Sequence, residues 1–290
     1  MRKLLLILVF LFFILFSFDI NGQIEYPITE KVVVTDIYFE TKVEVPYRWL
    51  EVDTSSQVKE WVSTQNNLTF SYLEKIPQRK KIKDRLENLW NYEKMGTPFK
   101  DGEYTYFYKN DGLQNQYVLY RKKGEGQEEV FIDPNQFSKD GTISLAGTYF
   151  SKDGSLLAYA ISEGGSDWRK VIVIETENKT IVEDTLLDVK FSGISWNGNE
   201  GFYYSSYDKP VKSVLTDKTD RHKLYYHQLN TSQRKDKVVF GDQEKFRYVS
   251  GYITKDQNYL VISASKTTSG NNLYIQDRNI ENAPLIQITY

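Results

Sequence analysis

Two periodicities divide the chain. From Val58 to Leu89 the apolar positions recur at spacings of three and four, which is the period of an amphipathic helix. Val58, Trp61, Val62, Gln65 and Leu68 share one mostly apolar face, with Ser55 or Ser56 placed to cap the amino end. A second helix is predicted from Pro77 through "PQRKKIKDRLENLW", its apolar face being Ile82, Leu86 and Leu89. Before these helices, residues Gln23 to Leu50 read as extended, "KVVVTDIYF" being β-branched and apolar and Pro46 turning the chain. After "WNYEKMGTPFKDG" the period changes. From Tyr104 onward short Tyr-, Phe-, Val- and Ile-rich runs alternate with turn clusters, the pattern of strands.

One unit recurs in this second region: an aromatic or apolar start, a polar turn, then an apolar strand. It is seen as "FSKDGSLLAYAIS" at Phe150, "ISWNGNEGFYYSS" at Ile194 and "YITKDQNYLVISA" at Tyr252, 44 and 58 residues apart. A further strand follows each, "KVIVIET", "KLYYHQL" and "NLYIQDR". Four-stranded propeller blades take roughly 40–50 residues each, and the polar insert "DKPVKSVLTDKTDRH" accounts for the longer interval. Stacking buries what one small sheet cannot bury alone, so the expectation is radial repetition, with three blades and most of a fourth by Tyr290. Such an incomplete ring leaves open strand edges, and the isolated chain is expected to be prone to aggregate.

Composition supports the β reading. The chain holds 22 Tyr, 16 Phe and 5 Trp, residues that suit strands and fill cores. A net charge of −2 gives no basic excess for a phosphate backbone, so no nucleic-acid partner is expected. The basic run "RKKIKDR" reads as the solvated face of the second helix. With no cysteine, disulfides, thiol nucleophiles and Cys-based zinc sites are excluded. The only histidines, His222 and His227, are five residues apart in a strand and so face opposite ways, which disfavours a shared metal. At the amino end, Arg2 and Lys3 precede an apolar run from Leu4 to Phe18, too short for the roughly 20 residues of a span. This is the layout of a signal peptide over residues 1–22, with cleavage near Gly22–Gln23. The rest is then exported, periplasmic or secreted, with no stable membrane span after cleavage.

Candidate chemistry is sparse. The serine elbow G-x-S-x-G is absent; "GGSDW" and "GISWN" each lack the second glycine. Neither histidine has Ser and Asp partners legible in the sequence. No phosphate-binding glycine loop occurs, and "DPN" at Asp133 and "KDG" at Lys139 are turn chemistry first. In "YKNDGLQNQYVLY" the amides of Gln114, Asn115 and Gln116 read as hydrogen bonders within a turn of the first blade rather than as a ligand grip. The residues alone leave a non-catalytic module that binds peptides or sugars as an alternative to an enzyme.

The chain resembles the prolyl oligopeptidase family of serine peptidases. The resemblance rests on "VPYRWLE", "YLEKIPQR", "PFKDGEYTYFYKNDGLQNQYVLY", "DPNQFSKDGTISLAG", "FSKDGSLLAYAISEGGSDWR" and "VKFSGISW", in the family's order from about Tyr26 to Tyr290. It departs at Tyr38-Phe39-Glu40, where the family usually has Tyr-His-Gly, at Val45 before Pro46, and at Val52. The resemblance implies a mainly β chain: a partial β-propeller, about three to four of seven blades, over residues 92–290. An α-helical amino-terminal arm over 23–91 would belong to an α/β-hydrolase domain. It also implies cleavage of short proline-containing peptides after proline, a propeller that restricts access, no cofactor, and catalytic Ser, Asp and His beyond Tyr290, so that this chain alone is expected to be inactive. One substrate-contacting residue carries over, Phe191 in "VKFSGISW".

Overall fold

The computed structural model describes residues 24–210 and 219–289. The apolar run assigned to a signal peptide and part of the 208–222 insert lie outside the described residues. The chain separates into two compact units, 1–79 and 80–290.

In the first unit, β1 (Thr35–Tyr38) and β2 (Thr41–Glu44) form a hairpin with Tyr38 opposite Thr41. Its turn residues, Phe39 and Glu40, have φ of 48° and 69°. Two successive left-handed residues match the twist of a tight hairpin but strain side chains other than Gly or Asn. Here the departure from Tyr-His-Gly therefore leaves the strand pairing regular and places Phe39 fully in solvent. Helix α1 (Ser56–Glu74) starts as its sequence dictates: the Ser55 hydroxyl accepts from the Val58 amide at 3.1 Å. The Trp61 indole donates to Thr29 Oγ1 at 2.9 Å, tying the helix to the extended segment.

Helix α2 (Arg79–Trp90), all but its first residue, belongs to the second unit. It begins two residues later than the pattern suggests, because Pro77 and Gln78 sit in a turn. Lys80–Asp84 and Lys83–Glu87 pairs at one-turn spacing line its polar side, while Ile82, Leu86 and Leu89 stay 50–56% exposed.

Four antiparallel sheets follow. The first holds β3 (Lys94–Met95), β4 (Phe99–Asp101), β5 (Tyr104–Asn110), β6 (Val118–Lys123) and β7 (Glu129–Ile132). The second is β8 (Ile143–Phe150) to β11 (Leu186–Lys190), with β9 (Leu156–Glu163) and β10 (Trp168–Glu175) between. The third runs β12 (Ile194–Asn197), β13 (Gly201–Tyr207), β14 (His222–Gln228) and β15 (Lys237–Phe240). The fourth is β16 (Tyr248–Ile253), β17 (Tyr259–Ser265), β18 (Asn272–Asp277) and β19 (Ile286–Gln287). In the second to fourth sheets the strands are ordered consecutively, and β12 touches both β8 and β16, so the first strands of these sheets gather at one edge. No strand pairing among the described residues joins the fourth sheet to the first.

Strand alternation explains how the sheets stack. On β10, Val171 and Val173 pack toward the third sheet with Trp196, Phe202 and Tyr204, while Ile172 and Ile174 join Tyr106, Leu119 and Phe131 of the first. The third and fourth sheets share a further core of Leu224, Phe246, Val249, Leu260 and Ile262. Three successive apolar layers thus hold four sheets face to face. Polar stitches add register between neighbours. The Gln116 side chain donates to Ile143 O at 2.7 Å and accepts from Leu145 N at 3.2 Å, filling the unpaired edge of β8. Asn115 donates to Gly141 O at 3.2 Å, and Gln114 Oε1 accepts from Asp111 N at 3.1 Å. All three amides of the "GLQNQ" turn are engaged within the fold. Arg121, buried under the rings of Tyr104 and Phe131, donates to Glu177 O at 3.0 Å and reaches Thr176 O.

Candidate functional site

Phe191 lies in the short crossover from β11 to β12, the step from the last strand of one sheet to the first of the next. Its φ of 51° is left-handed, which a β-carbon disfavours by roughly 1–2 kcal/mol. That backbone turns the ring outward, and it stays 44% exposed. Tyr207 and Tyr248 meet it edge-on at 6.2 and 6.0 Å between centroids. Lys190 places its ammonium 5.2 Å from the Phe191 ring and 4.8 Å from that of Trp168, its cross-strand partner. Arg247 lies 5.5 Å over Tyr248.

A buried histidine anchors this cluster from below. The amide of Val249 donates to His222 Nδ1 at 2.8 Å, so the proton sits on Nε2, which donates to Lys190 O at 2.9 Å. The ring stacks on Tyr207 at 4.3 Å. Burial, opposed only by the Lys190 carbonyl, pushes its pKa down to about 4, so His222 is neutral at physiological pH. It joins the crossover, the third sheet and the fourth.

The sequence showed no Ser and Asp partners for either histidine; the structure gives His227 two carboxylates. Its Nδ1 meets Asp236 Oδ1 at 2.8 Å and its Nε2 meets both Glu183 oxygens at 3.2 Å. Tyr204 donates to the other Asp236 oxygen at 2.8 Å, and the Asn230 amide to Glu183 at 3.0 Å. Burial works against the charged form, but the two carboxylates outweigh it and raise the pKa to about 9. This is a doubly paired imidazolium bridging the second and third sheets, with no serine beside it among these contacts. The serines of the two elbow-like motifs are also structural. Ser166 Oγ accepts from Trp168 N at 3.1 Å, and Ser195 Oγ from Ile253 N at 2.8 Å. Among the described residues, no group of three or more His, Asp and Glu is placed to hold a metal.

A cleft of about 350 Å³, lined by Tyr104, Asp153, Glu175 and Glu177, opens at the β8–β9 and β10–β11 turns. Antiparallel connections alternate between sheet ends, so this cleft is at the opposite end of the second sheet from Phe191. Of the cluster around Phe191, the sequence singled out Phe191 alone. Lys190 was adjacent to it, but Trp168, Tyr207 and Tyr248 had no local signal, being brought together by strand register and sheet stacking.

Four stacked antiparallel sheets, the second to fourth with their first strands at one edge, define a β-propeller type of protein. Residues 26–289 match the family described as prolyl oligopeptidase, N-terminal beta-propeller domain, and the chain belongs to that family. It is 56% identical over 259 residues to a prolyl endopeptidase of Elizabethkingia miricola, covering 89% of this chain and 37% of that protein. A prolyl endopeptidase of Elizabethkingia meningoseptica is 55% identical over the same length. The chain thus spans under two fifths of the length of these relatives. Among solved structures, prolyl oligopeptidase B from Galerina marginata, bound to a 35mer hydrolysis and macrocyclization substrate, superposes with a TM-score of 0.73. It is 28% identical, over 91% of this chain and 41% of that one. Oligopeptidase B from Leishmania major, 17% identical with a TM-score of 0.73 over 92% of this chain and 40% of that one, shares the fold.

Proposed function

We propose that this chain is the amino-terminal portion of an exported serine endopeptidase that cleaves short peptides after proline. The observation that carries the reading is the 56% identity to a prolyl endopeptidase across 89% of the chain. The remainder of the protein would supply the catalytic serine, its histidine general base and the aspartate that orients it, forming an acyl-enzyme. In this reading residues 23–91 pack with the hydrolase domain, which gives the exposed Ile82, Leu86 and Leu89 face of α2 its cover. The propeller restricts access to the active site, and Phe191 projects toward the bound peptide.

The test uses the full-length protein and three sets of quenched peptides: proline-containing, arginine-containing, and a proline series of increasing length. Cleavage after proline, falling steeply with length, is expected. Equal cleavage after arginine, or undiminished cleavage of a long unfolded chain, would sink specificity or size restriction respectively. Phe191→Ala is expected to raise KM for the short proline peptide severalfold; an unchanged KM removes Phe191 from the peptide site.

A further inference from the structure

We propose that Lys190, assisted by Arg247, makes the Phe191 cluster selective for peptides carrying a carboxylate. This inference rests on the reading of Phe191 as a peptide-contacting residue. Neither cation meets a carboxylate among the described residues. The acidic groups near them in sequence are taken by other lysines, Asp188 by Lys209 at 2.9 Å and Glu244 by Lys266 at 2.7 Å, and Asp208, next to Tyr207, is taken by Lys223 at 2.8 Å. Positive charge is therefore left over where the aromatic rings are exposed.

Lys190 is also held in place. Its side chain is half-buried between the rings of Trp168 and Phe191, and its carbonyl is fixed by His222. Ring faces stabilise an ammonium but leave its hydrogen-bonding protons without a strong acceptor. An incoming carboxylate supplies that acceptor with little reordering of the lysine. Arg247, stacked on Tyr248 at the other end of the ring pair, adds positive field to the same surface. An Asp or Glu side chain and the peptide terminus both present a carboxylate, and the two arms of the experiment separate them.

The experiment measures kcat/KM of the full-length enzyme on proline peptides of one length. One arm moves a single Glu through the positions flanking the proline, each against its Gln counterpart. The other compares a free carboxy terminus with an amide. A half-exposed pair of this kind is worth about 1 kcal/mol, so about a fivefold preference for the charged peptide is expected in one arm, carried by KM. Lys190→Gln should erase the preference, Lys190→Arg should keep it, Arg247→Gln should reduce it, and added salt should weaken it in the wild type. The ratio of two peptides on one enzyme cancels any loss of folded protein. Cleavage after proline with no charge preference, or a preference that survives Lys190→Gln, overturns this inference alone. No cleavage after proline overturns the proposed function and this inference with it.

Discussion

His227→Gln should change how stability depends on pH, not only its level. In the folded chain the imidazole sits between Asp236 and Glu183, with a pKa raised from 6.5 to about 9. Below 6.5 both folded and unfolded forms carry the proton, and the full stabilisation is present. Between 6.5 and 9 only the folded form holds it, so stability falls as pH rises and the contribution is gone above the folded value. At about 1.4 kcal/mol per unit, the shift amounts to about 3 kcal/mol. Urea unfolding of wild type and His227→Gln across this range supplies the measurement. The variant should be less stable by at least that amount at pH 6, and the gap should narrow by about 3 kcal/mol by pH 10. His222 has the opposite sign. Its pKa of about 4 means that the unfolded form takes up the proton first as pH drops below 6.5, so stability falls toward acid. Nitrogen NMR of histidine-labelled protein gives an independent check: at pH 7.5 both nitrogens of His227 should be protonated, but only Nε2 of His222. A constant stability gap from pH 6 to 10, or a neutral His227 at pH 7.5, would refute the reasoning.

Three further substitutions probe the packing. Tyr106 is fully buried, and among the described residues its hydroxyl has no well-formed hydrogen bond, only the nearby Arg121 guanidinium, so Tyr106→Phe should be close to neutral, within about 1 kcal/mol in thermal unfolding. Gly154 has φ of 73°, and an added Cβ would lie 2.5 Å from Gly102 N, so Gly154→Ala should destabilise by about 3 kcal/mol and lower the melting temperature. Gln116→Ala strips both hydrogen bonds from the edge of β8 and should cost about 1–2 kcal/mol, with faster hydrogen exchange at Leu145 as the local readout.

The repeating hairpins were legible because their information is local. The turns of "SKDG", "WNG" and "TKDQ" become the β8–β9, β12–β13 and β16–β17 connections. Gln257 takes a φ of 69° where Gly154 and Gly198 take 73° and 54°, so the turn persists even where glycine is lost. The amides of "GLQNQ" were legible as turn hydrogen bonders for the same reason, although Gln116 reaches across to the next sheet. The acidic pair around His227 was not legible. Glu183 is 44 residues away and Asp236 nine, and only sheet stacking brings all three together. Likewise the exposure of Phe191 depends on one backbone angle in a crossover, which no hydrophobic pattern encodes. An aromatic in a strand-like run such as "VKFSGISW" reads as core, and Phe191 stood out only through resemblance.

Strand β14 connects these observations. Its two histidines point to opposite sides because five residues separate them, and each side fixes a different charge state. On one side His227 meets two carboxylates and is held as a cation, locking the third sheet to the second. On the other, His222 accepts a hydrogen bond from the Val249 amide and donates one to the Lys190 carbonyl, which only the neutral ring can do. That neutral ring ties together Lys190, Tyr207 and the start of β16, the three elements against which the Phe191 ring rests. A left-handed backbone at Phe191 persists only where its surroundings over-determine it, and His222 provides that constraint without placing charge beneath Lys190. Among the described residues of the cluster, the positive character of the rim then comes from Lys190 and Arg247, while the histidine below it supplies shape.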